Sequence, residues 1–173
     1  MSDFIADVNT SSHNVMMRVL IGPFLALFTF GCSDRMGVQP VEKIELRAPG
    51  LDILMDTHGE GSFVFSPRGH HRQSGMFDIG PGGFDSLLIE LSPYLRYSGP
   101  TAETSRRFLA SDCPAQYPYV TDRGIVSVRW IGPSLDQIFI IDLGCDYERH
   151  AERNGKLRNI ISSLQVPDST PLP

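Results

Sequence analysis

Residues 125–145 read IVSVRWIGPSLDQIFIIDLGC, and this stretch decides the fold. Ile125–Ile131 alternates between faces and is rich in β-branched and aromatic residues, as half-buried strands are. Gly132-Pro133-Ser134 is a turn signal, and residues 137–143 form a nearly continuous apolar run typical of a central strand covered on both faces. The stretch therefore predicts two adjacent strands joined by a turn.

Four further strands are predicted upstream of this hairpin. Short segments of alternating character, separated by glycine-containing turns, indicate a meander, with strands at residues 43–46, 51–57, 62–66 and 76–79. The polar, glycine-containing stretch 67–74 is predicted to be an exposed loop that leads into the fourth strand.

Two segments carry the periodicity of helices. Apolar residues spaced mostly three or four apart run from Phe84 to Leu95 and define one helical face, and Ser92-Pro93 is expected to stop or bend this helix. Residues 146–164 form the second predicted helix, with Asp146 as its N-cap.

The order of these elements, strands followed by a helix and then the same again, predicts an α+β fold. We expect a two-layer sandwich in which two helices cover one face of an antiparallel sheet, within a single domain at residues 41–165. Residues 101–105 and Arg106-Arg107 are predicted to form a polar, solvated connection between the halves. Asp78-Ile79-Gly80 and Asp142-Leu143-Gly144 each close a strand before a helix, which either a remote internal strand-strand-helix duplication or chance explains.

The composition is that of an ordinary globular domain. The chain has 173 residues, of which 41% are hydrophobic and 20% charged, with a formal net charge of −5 and three cysteines. These values argue against a disordered chain, a collagen-like repeat and a multi-span membrane protein. The excess of acidic over basic residues also argues against nucleic-acid binding through phosphate neutralisation.

An export signal is indicated near the N-terminus. Arg18 precedes an uncharged, mostly apolar run at residues 19–31, which ends at Cys32 and then turns polar. The run is too short to cross about 30 Å of hydrocarbon, but it matches the hydrophobic part of a secretory signal peptide. Residues 16–33 resemble the signal peptide and lipobox of bacterial lipoproteins, with Gly31-Cys32 matching the last two lipobox positions.

This resemblance implies a lipid anchor. In bacterial lipoproteins the cysteine sulfur receives a diacylglycerol group, the signal is cut just before that cysteine, and the new amino terminus is acylated. The resemblance assigns these steps to Cys32, and Ser33 after it is compatible with passage to the outer membrane. It implies a signal peptide at residues 16–31 and a lipidated cysteine with its tether at residues 32–40.

Both ends of the chain are predicted to lie outside the folded domain. Residues 1–15 include two acidic residues but no Lys or Arg, whereas a signal peptide should begin with positive charge. We therefore expect translation to begin at Met16 or Met17. Residues 166–173 contain three prolines and no apolar pattern, and they are predicted to be a disordered tail.

With Cys32 assigned to lipid, Cys113 and Cys145 remain for a protein outside the reducing cytosol. A disulfide between them is predicted, with two unpaired buried thiols as the alternative. Cys145 follows the end of the strand at residues 137–143, and bonded cysteines have Cα atoms within about 7 Å of each other. Residues 114–123 must therefore leave and return to the same end of the sheet.

Histidines give the only suggestion of metal chemistry. His70 and His71 adjoin each other and His58 has Asp56 nearby, and imidazole and carboxylate groups bind zinc and copper. Adjacent histidines on a strand point to opposite faces, and no His-x-x-x-His or Cys-x-x-Cys pattern accompanies them. A solvated polar loop is favoured, and a surface metal site is the alternative.

The glycines before the first helix and one buried acid suggest structural roles. Gly80, Gly82 and Gly83 lack the phosphate-binding glycine patterns and indicate a turn with positive φ. Asp142 interrupts an apolar strand and would be unfavourable to bury alone, and Arg129 on the neighbouring strand is its predicted partner.

Three aromatic residues are candidates for a contact surface. Trp130 lies on a predicted strand, and core packing is the favoured role for it. Tyr117 and Tyr119 lie in the proline-rich stretch between the cysteines, where they can form an aromatic surface of the kind enriched at interfaces.

These observations predict a non-enzymatic, lipid-anchored cell-envelope protein of a Gram-negative-type bacterium, with a binding or structural role and no cofactor. The expected location is the outer membrane, facing the periplasm, with a secreted or soluble periplasmic protein as the alternative. The expected partners are the membrane, through the anchor, and an envelope protein. Two other functions stay open: a metal-binding protein or enzyme that uses His58, His70 and His71, and a periplasmic inhibitor module that presents a loop or sheet edge to a hydrolase.

Overall fold

The computed structural model describes residues 40–66, 71–110, 113–164 and 166. The predicted signal peptide with Cys32, the tether before Pro40, His70 and the tail after Val166 lie outside the described residues.

The described chain forms seven strands and three helices. The strands are β1 (Lys43–Ala48), β2 (Leu51–Asp56), β3 (Glu60–Phe65), β4 (Gln73–Asp78), β5 (Gly99–Pro100), β6 (Ile125–Ile131) and β7 (Asp136–Asp142). The helices are α1 (Gly80–Leu95), α2 (Thr101–Ala110) and α3 (Ala151–Ser163). The prediction of an α+β fold is therefore confirmed.

All seven strands belong to one antiparallel sheet with the order β4-β3-β2-β1-β6-β7-β5. The meander β1 to β4 extends to one side of β1, and the hairpin β6–β7 extends to the other. Ile44 on β1 lies opposite Met55 on β2 and Trp130 on β6, so these side chains share a face. The meander and the hairpin that the sequence predicts are both present.

The core lies between one face of the sheet and the apolar faces of α1 and α3. Alternate strand residues point into it because successive side chains of a strand face opposite ways. The sheet contributes Ile44, Leu46, Ile53, Met55, Val126 and Val128, and the helices contribute Phe84, Leu87, Leu91, Leu157, Ile160 and Ile161. Trp130 is fully buried there, as predicted, and Val166 is also buried against the core. No helix among the described residues has the length and apolar character needed to cross a membrane.

The structure contains a third helix where the sequence predicts a connection. Helix α2 covers the predicted polar stretch 101–105 and also Arg106-Arg107, which are exposed but helical. Its first residue, Thr101, donates a hydrogen bond to Asp136 Oδ1 at 2.6 Å, and the helix contacts β7. The two predicted helices are present as α1 and α3, but the count of two is wrong, because α2 buries only Thr104 and so has no apolar pattern that identifies it in the sequence.

The ends of the two predicted helices also differ from expectation. Pro93 lies inside α1 and does not stop it, since the helix continues to Leu95. Helix α3 begins at Ala151 with His150 as its N-cap, so the prediction of Asp146 as the N-cap is wrong. Asp146 has a positive φ of 46° and belongs to the turn before the helix.

Strand β7 lies one place from the edge of the sheet, and its only outer neighbour is the two-residue strand β5. The prediction that this apolar run forms a central strand of the sheet is therefore wrong. Ile138 is nevertheless buried although it lies outside the main core cluster, and β7 contacts α2. The apolar run predicts a strand that is covered on both faces. Helix α2, which the sequence pattern did not reveal, contacts β7 and is consistent with the second of these covers.

Arg129 pairs with acids other than the predicted one. Its guanidinium donates to Asp136 through Nε at 2.7 Å and Nη2 at 3.0 Å, and to Glu45 Oε2 through Nη1 at 3.2 Å. Asp142 lies at the opposite end of the hairpin, opposite Ile125. The predicted Arg129–Asp142 pair is therefore wrong, and β1, β6 and β7 are joined by Arg129 instead.

We expect Asp136→Asn to lower the free energy of unfolding by about 1 kcal/mol or less, since half-exposed ion pairs are weakened by solvent. The hydrogen bonds from Arg129 and then Thr101 lower the pKa of Asp136 from 3.8 to about 2. Because the folded-state pKa is depressed, the stabilisation is complete above about pH 4 and is lost as the pH falls toward 2.

Urea unfolding of the wild type and the Asp136→Asn variant across this pH range measures the difference. Asp52→Asn is the matched control, because Asp52 is also exposed and lies 3.7 Å from the Arg47 guanidinium. A wild-type advantage that grows as the pH falls below 4 would contradict this assignment.

Candidate functional site

The predicted metal ligands do not converge in the described structure. His58 is exposed in the β2–β3 turn, where its backbone N–H donates to Asp56 Oδ1 at 2.9 Å and its Nδ1 lies 3.8 Å from the same oxygen. His71 is exposed just before β4. His70 lies outside the described residues, and within them no three His, Cys, Asp or Glu side chains form a group able to hold a metal ion.

The predicted disulfide is present between Cys113 and Cys145, whose Cα atoms are 5.5 Å apart. Residues 114–123, which we name the excursion, leave and return at one end of the sheet as predicted. Tyr119 forms a single bridge with Cys145 rather than extending a full strand along β6. The two backbone hydrogen bonds of this bridge run from Val120 N to Gly144 O and from Asp146 N to Pro118 O, at 3.0 and 2.9 Å.

The backbone of Val120 in the excursion comes so close to residue 144 that only glycine fits there. A Cβ atom on Gly144 would lie 2.0 Å from the carbonyl oxygen of Val120. Asp142 accepts a hydrogen bond from Gly144 N at 2.7 Å and another from the Tyr119 hydroxyl at 3.1 Å, so this buried acid holds both the turn and the excursion. Gly80 N donates to Asp78 Oδ1 in the same way, also at 2.7 Å, and Gly80 has the positive φ that the sequence predicts. Gly82 and Gly83 lie inside α1 without a positive φ, so the prediction is wrong for these two residues.

The excursion presents apolar side chains to solvent. Tyr117, Tyr119 and Val120 are 38%, 53% and 39% exposed, and Ile125 beside them is also exposed. Tyr117 and Tyr119 therefore contribute to an accessible aromatic surface, as expected, whereas Trp130 does not. The disulfide and the backbone hydrogen bonds hold this surface in place.

A second candidate site is a cleft between α1 and α3 that the sequence does not reveal. It has a volume of about 820 Å³ and lies between the C-terminal end of α1 and the beginning of α3. Tyr94 and Phe139 contribute to its lining, with ring centroids 5.5 Å apart. The remaining lining residues are Glu90, Pro93, Arg96, Tyr97, Arg149, His150, Glu152, Arg153, Lys156, Asn159 and Ile160.

Cations outnumber carboxylates in this cleft, although the chain as a whole is acidic. Lys156 is paired with Glu152 at 2.7 Å, and Arg149 lies 3.7 Å from Asp146. The Arg96 guanidinium lies over the ring of Tyr97, 4.6 Å from its centroid. Neither Arg96 nor Arg153 forms an ion pair with a carboxylate of the described chain. The lining therefore has an excess of positive charge, with Arg96, Arg149, Arg153 and Lys156 against the carboxylates of Glu90 and Glu152.

Arg153 is held by an amide rather than by an acid. Its Nε and Nη2 donate to Asn154 Oδ1 at 3.1 and 3.0 Å. Asn154 is 1% exposed, and its Nδ2 donates to the backbone oxygen of Leu143 at 3.2 Å. This chain of hydrogen bonds ties the guanidinium to the end of the β7 region.

The ionisation of the cleft follows from its burial. Burial raises the pKa of the Tyr94 hydroxyl, while the charges of Lys156 and Arg153 oppose this shift. Burial also lowers the pKa of the Arg153 guanidinium, and burial followed by the charge of Arg153 lowers that of His150. At neutral pH the cleft thus offers a protonated phenol, an uncharged imidazole and a guanidinium, since Arg stays charged in proteins.

The cleft is hard to predict from the sequence, because its two walls, at residues 90–97 and 149–160, are more than fifty residues apart in the chain. The only local signal is the basic character of Arg149, Arg153 and Lys156, which at helical spacing is ordinarily a solvated face.

A comparison of the chain with protein-family models, curated proteins and solved structures finds no match.

Proposed function

We propose that this chain is a lipid-anchored cell-envelope protein whose domain binds a partner rather than catalysing a reaction. Cys32 carries the lipid, residues 32–40 are the tether, and the domain faces the periplasm from the outer membrane.

The observation that carries this proposal is the disulfide between Cys113 and Cys145. Disulfides form and persist in oxidising compartments and are rare in the cytosol. The bond accounts for two of the three cysteines, and the third, Cys32, follows directly on the apolar run 19–31. Export, which permits the disulfide, and lipidation of Cys32 together account for all three cysteines.

The excursion supports a binding role. Aromatic side chains are enriched at protein interfaces, and a rigid surface loses less conformational entropy when it binds. Tyr117 and Tyr119 are exposed on a segment that a covalent bond and three hydrogen bonds fix to the sheet. A braced loop of this kind is also what an inhibitor module would present to a hydrolase, which makes that function the second candidate.

Cys32→Ser is expected to move the protein from the membrane fraction to the soluble fraction after cell lysis. The substitution removes the sulfur that forms the thioether, and stable anchoring depends on more than one acyl chain. Fractionation, combined with incorporation of labelled palmitate, measures the change, and we expect incorporation to fall to background.

Ser33→Ala is the control, because it alters the neighbouring position and leaves the sulfur in place. A Cys32→Ser protein that still incorporates palmitate would show that the lipid anchor is wrong. The position of the signal cleavage follows from the N-terminal sequence of the mature wild type.

A further inference from the structure

Arg153 is a partly buried cation that no carboxylate of the described chain neutralises in an ion pair. Asp146, the acid that acts on it through space, lies closer to Arg149 at 3.7 Å. Removing a guanidinium from water without an opposite charge is unfavourable, so such a group is normally paired. Among the described residues, Arg153 is therefore available to pair with an anion in the cleft.

The guanidinium is oriented for such an anion. Its Nε–H and one N–H of Nη2 are occupied by Asn154 Oδ1, which leaves both N–H groups of Nη1 and one of Nη2. One N–H of Nη1 and the free N–H of Nη2 lie along the same edge of this planar group, and a carboxylate accepts two parallel hydrogen bonds from such an edge. Asn154 is itself fixed to Leu143 O, so little conformational freedom is lost when an anion binds.

The rest of the cleft offers apolar surface for the hydrocarbon part of a ligand. Tyr94, Tyr97, Phe139 and Ile160 provide aromatic and aliphatic surface next to the cations. The volume of about 820 Å³ lies within the range of small-molecule sites, which is about 300–1,000 Å³. The Tyr94 hydroxyl is a neutral hydrogen-bond donor close to Lys156 and Arg153.

We propose that the cleft between α1 and α3 binds a small amphipathic carboxylate, whose head group pairs with Arg153 and whose apolar body lies against Tyr94 and Phe139. This inference goes beyond the proposed function, and it does not depend on the lipid anchor. A failure of either one leaves the other standing.

Binding of decanoate to the full chain carrying Cys32→Ser, with its disulfide intact, tests the proposal. Decanol and decyltrimethylammonium have the same alkyl chain with a neutral and a cationic head group. Calorimetric titration below the micellar concentration should give decanoate an affinity at least about tenfold higher than that of either analogue. The amide resonances that shift should be those of residues 90–97 and 149–160.

Substitutions in the cleft separate charge from apolar contact. We expect Arg153→Gln to weaken decanoate binding about tenfold, and Lys156→Gln, at the exposed rim, about threefold. Arg106→Gln on α2 is the control and should leave the affinity unchanged. Near-ultraviolet circular dichroism shows whether each variant is folded.

Equal affinities for decanol and decanoate would overturn the proposal, and so would an unchanged affinity in a folded Arg153→Gln variant. If that variant does not fold, Lys156→Gln decides the question, because Lys156 is exposed and its replacement leaves the core intact. An unchanged affinity in Lys156→Gln would then overturn the proposal.

Discussion

Removal of the Cys113–Cys145 disulfide is expected to lower the free energy of unfolding by about 3–4 kcal/mol. The bond joins residues 32 apart in sequence, and in the chain-entropy account a loop of this length restricts the unfolded chain by about that amount. For a domain of this size the melting temperature should fall by about 10–20 °C. Thermal and urea unfolding of the Cys113→Ser/Cys145→Ser double variant measures both quantities.

The loss of stability should appear first in the excursion. Without the covalent bond, residues 114–123 are held by the two backbone hydrogen bonds of the Tyr119–Cys145 bridge, by the Tyr119 hydroxyl on Asp142 and by the Arg123 guanidinium over the Tyr147 ring. These attachments are few and near the surface, and such regions open locally at lower free energy than the core. Amide exchange of Val120 and Asp146 should therefore accelerate more than that of β6 in the double variant.

The Cys32→Ser variant is the matched control, because it removes a cysteine that is not part of this bond. Its unfolding free energy should equal that of the wild type and should fall on addition of reductant, whereas the double variant should not respond to reductant. An unfolding free energy within about 1 kcal/mol of the wild type in the double variant would contradict the stabilising role of the bond.

The strands were predictable because their signals are local, and the disulfide was predictable because assigning Cys32 to lipid leaves only Cys113 and Cys145 to pair. Ile125–Ile131 carries alternating character that only a half-buried strand explains, and its predicted bounds agree with β6. The position of Cys145 just after a strand restricts where Cys113 can lie, because bonded Cα atoms are close together. In both cases the sequence left few arrangements open.

Helix α2 was not predictable in the same way. Its sequence TAETSRRFLA buries Thr104 and leaves Leu109 83% exposed, so it lacks the continuous apolar stripe that identifies a helix packed on a core. Its attachment through the Thr101 hydroxyl to Asp136 depends on a tertiary contact 35 residues away in sequence. A polar helix held by such a hydrogen bond and by contacts with β7 and β5 resembles a solvated loop in sequence.

The partner of Arg129 depended on the register of a hairpin. Ile131 pairs with Asp136 across the turn, which puts Asp136 diagonally next to Arg129 on the same face, whereas Asp142 pairs with Ile125. The sequence predicts that the two strands pair but does not fix their register. Predicting the cleft would have required the packing of three elements against one another, since Tyr94, Phe139 and Arg153 come from α1, β7 and α3.

Asn154→Ala is expected to lower the free energy of unfolding by about 2–3 kcal/mol. The side chain is 1% exposed, and its loss leaves the backbone oxygen of Leu143 buried without its hydrogen bond, at about 1–3 kcal/mol. The partly buried Arg153 also loses its acceptor, which adds to the loss. Alanine favours a helix more than asparagine by several tenths of a kcal/mol, so part of the loss is offset. Urea unfolding measures the net change.

Asn154→Asp separates the two hydrogen-bonding roles of this side chain. A carboxylate still accepts the hydrogen bonds from Arg153 but cannot donate to Leu143 O, so this variant should be destabilised as well. It differs from Asn154→Ala in giving Arg153 a permanent negative partner. If Arg153 binds an external carboxylate, Asn154→Asp should weaken decanoate binding at least about tenfold, and more than Asn154→Ala does. Wild-type affinity in a folded Asn154→Asp variant would mean that the unpaired charge of Arg153 is not what the cleft uses to bind an anion.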